Sequence, residues 1–134
     1  MNSKYDNKEL ARRFREMGDK FIALDKDVDM HNARYPSCGS PACHGGWAGV
    51  LLDCNRKIDN YYYEDGADSL AIFFGFEDHY DLEVWAGEKQ EIWGNKDGEY
   101  MFSSEDAFGC KEYDITTKDI GNHYHGVADR LEAL

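Results

Sequence analysis

The chain has 134 residues, with 27 Asp and Glu against 15 Lys and Arg, giving a net charge of −12. Apolar residues make up 42% and aromatics 14%, enough to close a core without staples, so full-length disorder is excluded. The deficit of Lys and Arg argues against a phosphate-backbone binder, and no run of about 18 apolar residues suits a membrane span.

The opening 25 residues are charged throughout, so neither a signal peptide nor a membrane anchor is expected there, and the cytoplasm is the expected compartment. A first helix is predicted from about Asp6 to Leu24. Asp6 and Glu9 form a capping-box pattern, and Leu10, Phe14, Met17 and Phe21 recur on one face. The stretch from Leu24 to Ser40 has no periodicity and reads as a loop. Ser40-Pro41 then supplies an N-cap and a first-turn proline for a second helix, Pro41 to Leu52. Gly45, Gly46 and Gly49 inside that helix each cost about 1 kcal/mol relative to Ala. They predict that another backbone comes close.

Residues 53–66 read as loop, with a short extended piece at Tyr61–Tyr63. Apolar spacing then predicts a helix over Asp68–Phe76, burying Leu70, Phe73 and Phe74. Another begins near Asp78, with Tyr80, Leu82 and Trp85 as its apolar positions. Glu91–Phe102, with Lys96-Asp97-Gly98 between IW and YMF, is the one place for a short β-hairpin. Thr116 and Asp119 mark a capping box for the last helix, in which Ile120, Tyr124, Val127, Leu131 and Leu134 keep helical spacing. The expected fold is a single, mainly α domain of about five helices spanning residues 1–134.

Charge is uneven. Residues 1–67 hold 11 acidic and 10 basic side chains; residues 68–134 hold 16 and 5. Such a half keeps a small protein apart from its copies, or docks on a basic protein partner in competition with nucleic acid. No nucleic acid, membrane or cofactor is expected as a ligand, and nothing in the sequence sets an oligomeric state.

Four cysteines in a chain without an export signal point to thiols or a metal rather than to a disulfide framework. The densest stretch is Cys38-Gly39-Ser40-Pro41-Ala42-Cys43-His44. Cys43, near the third position of its helix, is a candidate nucleophile for a thiol-dependent hydrolase or transferase, with His123 or His125 as base. Burial is the commoner fate of such a residue. Cys38, Cys43 and His44 are also candidate metal ligands, joined by Cys54, Cys110, His123 or His125. Four residues separate Cys38 from Cys43, which is wide for structural zinc, and His123 and His125 diverge by about 200° on one helix. A Cys38–Cys43 disulfide is the redox alternative. Tyr61, Tyr62 and Tyr63 are a candidate binding platform, although the acidic residues after them disfavour base stacking. Asn95–Glu99 looks like part of a calcium loop but has Trp93 and Ser104 where ligands are needed, so it reads as a turn. Adjacent pairs such as Glu64-Asp65 and Glu77-Asp78 diverge and make no glycosidase-like acid pair.

Cys38, Gly39, Ser40, Cys43, Gly46, Trp47 and Ala48 fit the pattern C-G-[ST]-x-x-C-x-x-G-W-A. In this the chain resembles a group of short, uncharacterised bacterial and phage proteins, with a rough second match at Ala71–Phe76. The resemblance implies that Cys38–Ala48 is the defining element and implies no activity. The group has an apolar residue at the position of His44.

Overall fold

The computed structural model describes residues 2–30, 43–52, 63–111 and 114–134, with backbone only for 63–65. Six helices appear among them: α1 (Asn7–Leu24), α2 (His44–Leu51), α3 (Tyr63–Phe73), α4 (His79–Glu88), α5 (Gln90–Trp93) and α6 (Thr117–Glu132). Two 3-10 turns, Gly98–Tyr100 and Glu105–Phe108, lie between α5 and α6.

Helix α1 starts where an Asp can cap it. The Asp6 Oδ1 accepts from the Glu9 backbone N–H at 2.8 Å, satisfying one of the orphan donors of the first turn. The Glu9 side chain turns instead to Arg12 and Arg13, both at 2.8 Å, and the Arg12 guanidinium is the main reason its carboxyl is lowered to about 2. Helix α6 has the full reciprocal box. Thr116 Oγ1 accepts from the Asp119 N–H, and the Asp119 carboxylate accepts from the Thr116 N–H.

The apolar stripes of α1 and α6 face each other antiparallel and meet in aromatic rings. Phe14 stacks on Phe74 with centroids 4.0 Å apart, and Tyr124 stands edge-on to Phe14 and Phe21. At the crossing Gly121 lets the backbones touch, since a Cβ there would lie 2.4 Å from the Gly18 carbonyl oxygen. Two short strands, β1 (Asp27–Val28) and β2 (Ile115–Thr116), clasp the far end in antiparallel register, Asp27 opposite Thr116 and Val28 opposite Ile115. Lys26 and Thr117 extend the clasp, through Thr117 N–H to the Lys26 carbonyl and Lys26 N–H to Thr117 Oγ1, both 2.8 Å. Leu131 is buried in this layer. Leu131→Ala is expected to cost about 2–4 kcal/mol, and a thermal melt within a degree or two of the parent would contradict the assignment.

The mainly α fold is as expected, but several details move. The strand pairing is β1 with β2, and Glu91–Phe102 is not a hairpin. Asn95 Oδ1 accepts from the Asp97 N–H at 2.8 Å, an Asx turn that stands in for a hairpin turn, and the chain goes on into a 3-10 turn. Helix α5 ends at Gly94, with φ 108°, while Arg130 donates to the freed carbonyls of Ile92 (2.7 Å) and Trp93 (2.8 Å). Among the described residues α2 is capped by Cys43, so Cys43 stands at the cap and not near the third position; Ser40 and Pro41 lie outside them. Helix α3 opens at Tyr63, earlier than the expected Asp68, and Phe73 is only half-buried. Tyr80, one of the expected apolar positions of α4, is 65% exposed, and Leu134, in helical spacing with the α6 stripe, lies past the end of that helix and is 73% exposed. Tyr80 lies across α4 from Leu82, Trp85 and Ala86, and those three hold the core.

At Gly45 and Gly49 another backbone does come close to α2. A Cβ on Gly66 of α3 would fall 1.8 Å from the Gly45 carbonyl oxygen and 2.8 Å from the Gly49 nitrogen. Backbone packs on backbone there, which presses α2 against α3.

Candidate functional site

Cys43 takes an extended conformation (φ −95°, ψ 173°) just before α2, and its Sγ accepts from the Gly46 N–H at 3.4 Å. It is 2% exposed. Burial pushes its thiol above the usual value, only partly opposed by the nearby N–H groups of Gly46 and Gly45. A neutral, shielded thiol is a weak nucleophile. Iodoacetamide is therefore expected to label native Cys43 at a small fraction of the rate seen in denaturant, followed by peptide mass spectrometry. Equal rates would contradict the sealed cap.

His44, the next residue, is wholly buried between the rings of Phe21, Phe102, Phe108 and Tyr124. The Met101 carbonyl oxygen lies 2.9 Å from Nδ1 and can only accept, so Nδ1 carries the hydrogen. Nε2 is then the acceptor for the Tyr124 hydroxyl, 2.5 Å away. Burial lowers the imidazole to about 3 and raises the Tyr124 phenol well above its usual value, so both groups are neutral at physiological pH. The pair fills a position suited to an apolar side chain and satisfies its own polar atoms.

Neither candidate base is hydrogen-bonded to Cys43. His123 lies on Trp93 (4.6 Å between centroids) and against Phe108 (5.4 Å). Its Nε2 has no hydrogen-bond partner among the described residues, and burial, with Arg130 adding, lowers the imidazole to about 4. His125 faces α1 instead, with Nε2 2.8 Å from Asp19 Oδ1. Helical geometry explains the split, since successive residues turn by about 100°: His123 toward α5, Tyr124 into the core, His125 toward α1. Cys110 is half-buried, donates to the Phe108 carbonyl and is pushed up to about 11, chiefly by burial. Among the described residues no three His, Cys, Asp or Glu are placed to hold a metal ion. Cys38, Cys54, Tyr61 and Tyr62 lie outside the described residues, and Tyr63 is placed only as the first residue of α3.

Two features escaped the sequence reading. Asp68 on α3 holds His79, accepting from its backbone N–H at 3.0 Å and lying 2.6 Å from its Nδ1. His79 in turn lies against Tyr80, the rings tilted by 34° with centroids 4.1 Å apart. The second is the state of the acidic half. From Glu77 to Glu99 there are eight carboxylates and two lysines. Glu77, Glu88, Glu91 and Glu99 are exposed, and Asp78, Asp81, Glu83 and Asp97 half-buried. Among the described residues none of the eight pairs with a Lys or Arg. Glu83 is raised by burial, with Asp78 and Glu99 adding and His79 opposing. A groove of about 470 Å³ between α1 and α6 has Lys8, Arg12 and Arg15 on its walls, with Arg12 tied to Glu9 and Glu16 and Arg15 to Asp129 and Glu132.

No described helix is long and apolar enough to cross a membrane. No family model, curated protein or solved structure matches the chain.

Proposed function

We propose that the protein is a small, acidic binding or regulatory protein of the cytoplasm that acts through contacts with a basic protein partner. The observation that carries this reading is the run of carboxylates from Glu77 to Glu99, exposed or half-buried on α4, α5 and the 3-10 turn after them and without a Lys or Arg partner among the described residues. Leaving eight carboxylates without cations raises the self-repulsion of the folded chain, and a cationic surface relieves that repulsion on docking. The thiol and imidazole groups of the Cys43–His44 region favour the same reading, because they are sealed and bonded within the core.

The reading is tested with a labelled cationic amphipathic helix, built from arginine and leucine, titrated into the protein and followed by fluorescence anisotropy and stopped flow. Saturable one-to-one binding is expected at low salt. Association should slow markedly towards about 0.5 M, where the Debye length falls to about 4 Å. No saturable binding at low salt, or rates indifferent to salt, would overturn the reading.

A further inference from the structure

Helix α4 carries an apolar stripe on the side away from the core. Tyr80 and Val84 are 65% and 44% exposed. Four residues apart, they project within about 40° of each other, opposite Leu82, Trp85 and Ala86. Gly87 continues the stripe, and Glu99 fills the space beside it, its Cβ 2.9 Å from where a Gly87 Cβ would stand. The neighbouring Tyr100 is 49% exposed.

Carboxylates flank the stripe on both sides. Glu83 lies about 60° to one side of Tyr80 around the helix, and Glu88 and Asp81 lie about 80° and 100° to the other. Beyond Asp81 the surface dips into a groove of about 360 Å³ lined by Ile72, Phe76, Glu77 and Asp81 on one side and by Asn2 and Lys4 on the other, with Ile72 itself 56% exposed and Lys4 the one cation against two carboxylates in that lining. The Tyr80 ring is also braced. The tilted His79 ring lies against it, and Asp68 fixes His79 through both its ring and its backbone N–H. An exposed aromatic ring held in place costs little further ordering when a ligand lands on it.

Resting on the binding reading above, we infer that this face of α4 is the docking surface and that its occupant is an arginine-bearing amphipathic helix of another protein. Charge chooses the occupant. A second copy would set carboxylate against carboxylate, and an anionic membrane or a nucleic acid would be repelled by the same groups. Arginine suits the face better than lysine does. One flat guanidinium stacks on the Tyr80 ring with its N–H groups on Glu83, a second, two turns along, reaches Glu88 and Glu99, and the partner's apolar residues cover Val84.

The same labelled helix tests the face, with three changes. Tyr80→Ser combined with Val84→Ser removes the stripe at exposed positions, so the fold should persist, checked by an unchanged melting curve. Affinity is expected to fall about tenfold or more. Glu83→Gln with Glu88→Gln should chiefly slow association, and a lysine-for-arginine version of the probe should bind several-fold more weakly to the parent. Full affinity in a folded Tyr80→Ser/Val84→Ser variant would overturn the face while leaving the binding reading intact. Equal affinity for the lysine and arginine probes would overturn the guanidinium preference. Loss of all cationic binding by the parent protein would instead remove the binding reading on which the face rests.

Discussion

Acidification from pH 7 to pH 5 is expected to cost the protein about 3–4 kcal/mol of stability through His44 and His123. Both are held neutral by burial, at about 3 and about 4, whereas in the unfolded chain a histidine titrates near 6.5. Below pH 6.5 the unfolded chain therefore binds a proton at each site and the folded chain binds none, so stability falls as the pH falls. The loss continues to about pH 4 for His123 and about pH 3 for His44, at about 1.4 kcal/mol per pH unit for each. Between pH 7 and pH 5 most carboxylates remain ionised, and urea midpoints taken there report mainly the histidines. The variant His44→Leu with Tyr124→Phe removes one of the two titrations and also the hydroxyl that would lose its partner. Its absolute stability will shift because the Met101 carbonyl loses its donor, but the informative quantity is the slope with pH. That slope should fall by about half. A slope identical to the parent's would show that His44 accepts its proton in the folded state.

Gly66→Ala is expected to dislodge α2. The new methyl group would stand 1.8 Å from the Gly45 carbonyl oxygen and 2.8 Å from the Gly49 nitrogen, both of them backbone atoms that no rotamer change can move. Overpacking a core by a methyl group costs about 1–3 kcal/mol where side chains can give way. Here the two helices must part, so the upper end or beyond is expected. The consequence reaches the polar core. Cys43 and His44 ride on the start of α2, so its displacement loosens the hydrogen bond to Tyr124 and opens the thiol. A lowered melting temperature together with faster alkylation of Cys43 is the expected result. A variant that melts with the parent and keeps Cys43 protected would show that α2 and α3 lie further apart than described.

The helices most legible in the sequence are those whose ends are set by local chemistry. Asp6 and Thr116 carry oxygens that satisfy first-turn N–H groups, and the stripes of α1 and α6 repeat long enough to fix a period. Three glycines in a short helix foretold a close backbone, because no other arrangement offsets their cost. What they could not show was which backbone. The answer, Gly66, is an unremarked residue in a segment with no clear period.

Where the sequence by itself misled, two local patterns competed and a distant partner decided between them. Lys96-Asp97-Gly98 suits a hairpin turn, yet the Asn95 side chain closes an Asx turn first, and Trp93 is drawn inward by the Ala107 carbonyl 2.8 Å from its Nε1. Tyr80, Leu82 and Trp85 are all apolar enough for a core, but the side of α4 that faces the core carries Leu82, Trp85 and Ala86, and Tyr80 falls away from it. The site follows the same division. The order of charges along the chain determined that the second half is acidic, and the Ser40-Pro41 pattern that Cys43 and His44 lie near a helix start. Only the tertiary structure turned His44 into the buried partner of Tyr124, laid His123 on Trp93 and His125 against Asp19, and left the carboxylates around Tyr80 and Val84 without cations among the described residues. The physical reason is range. Capping and periodicity act within a few residues, whereas a buried hydrogen bond or an unpaired charge depends on what the folded chain brings near it from 80 residues away, as with His44 and Tyr124.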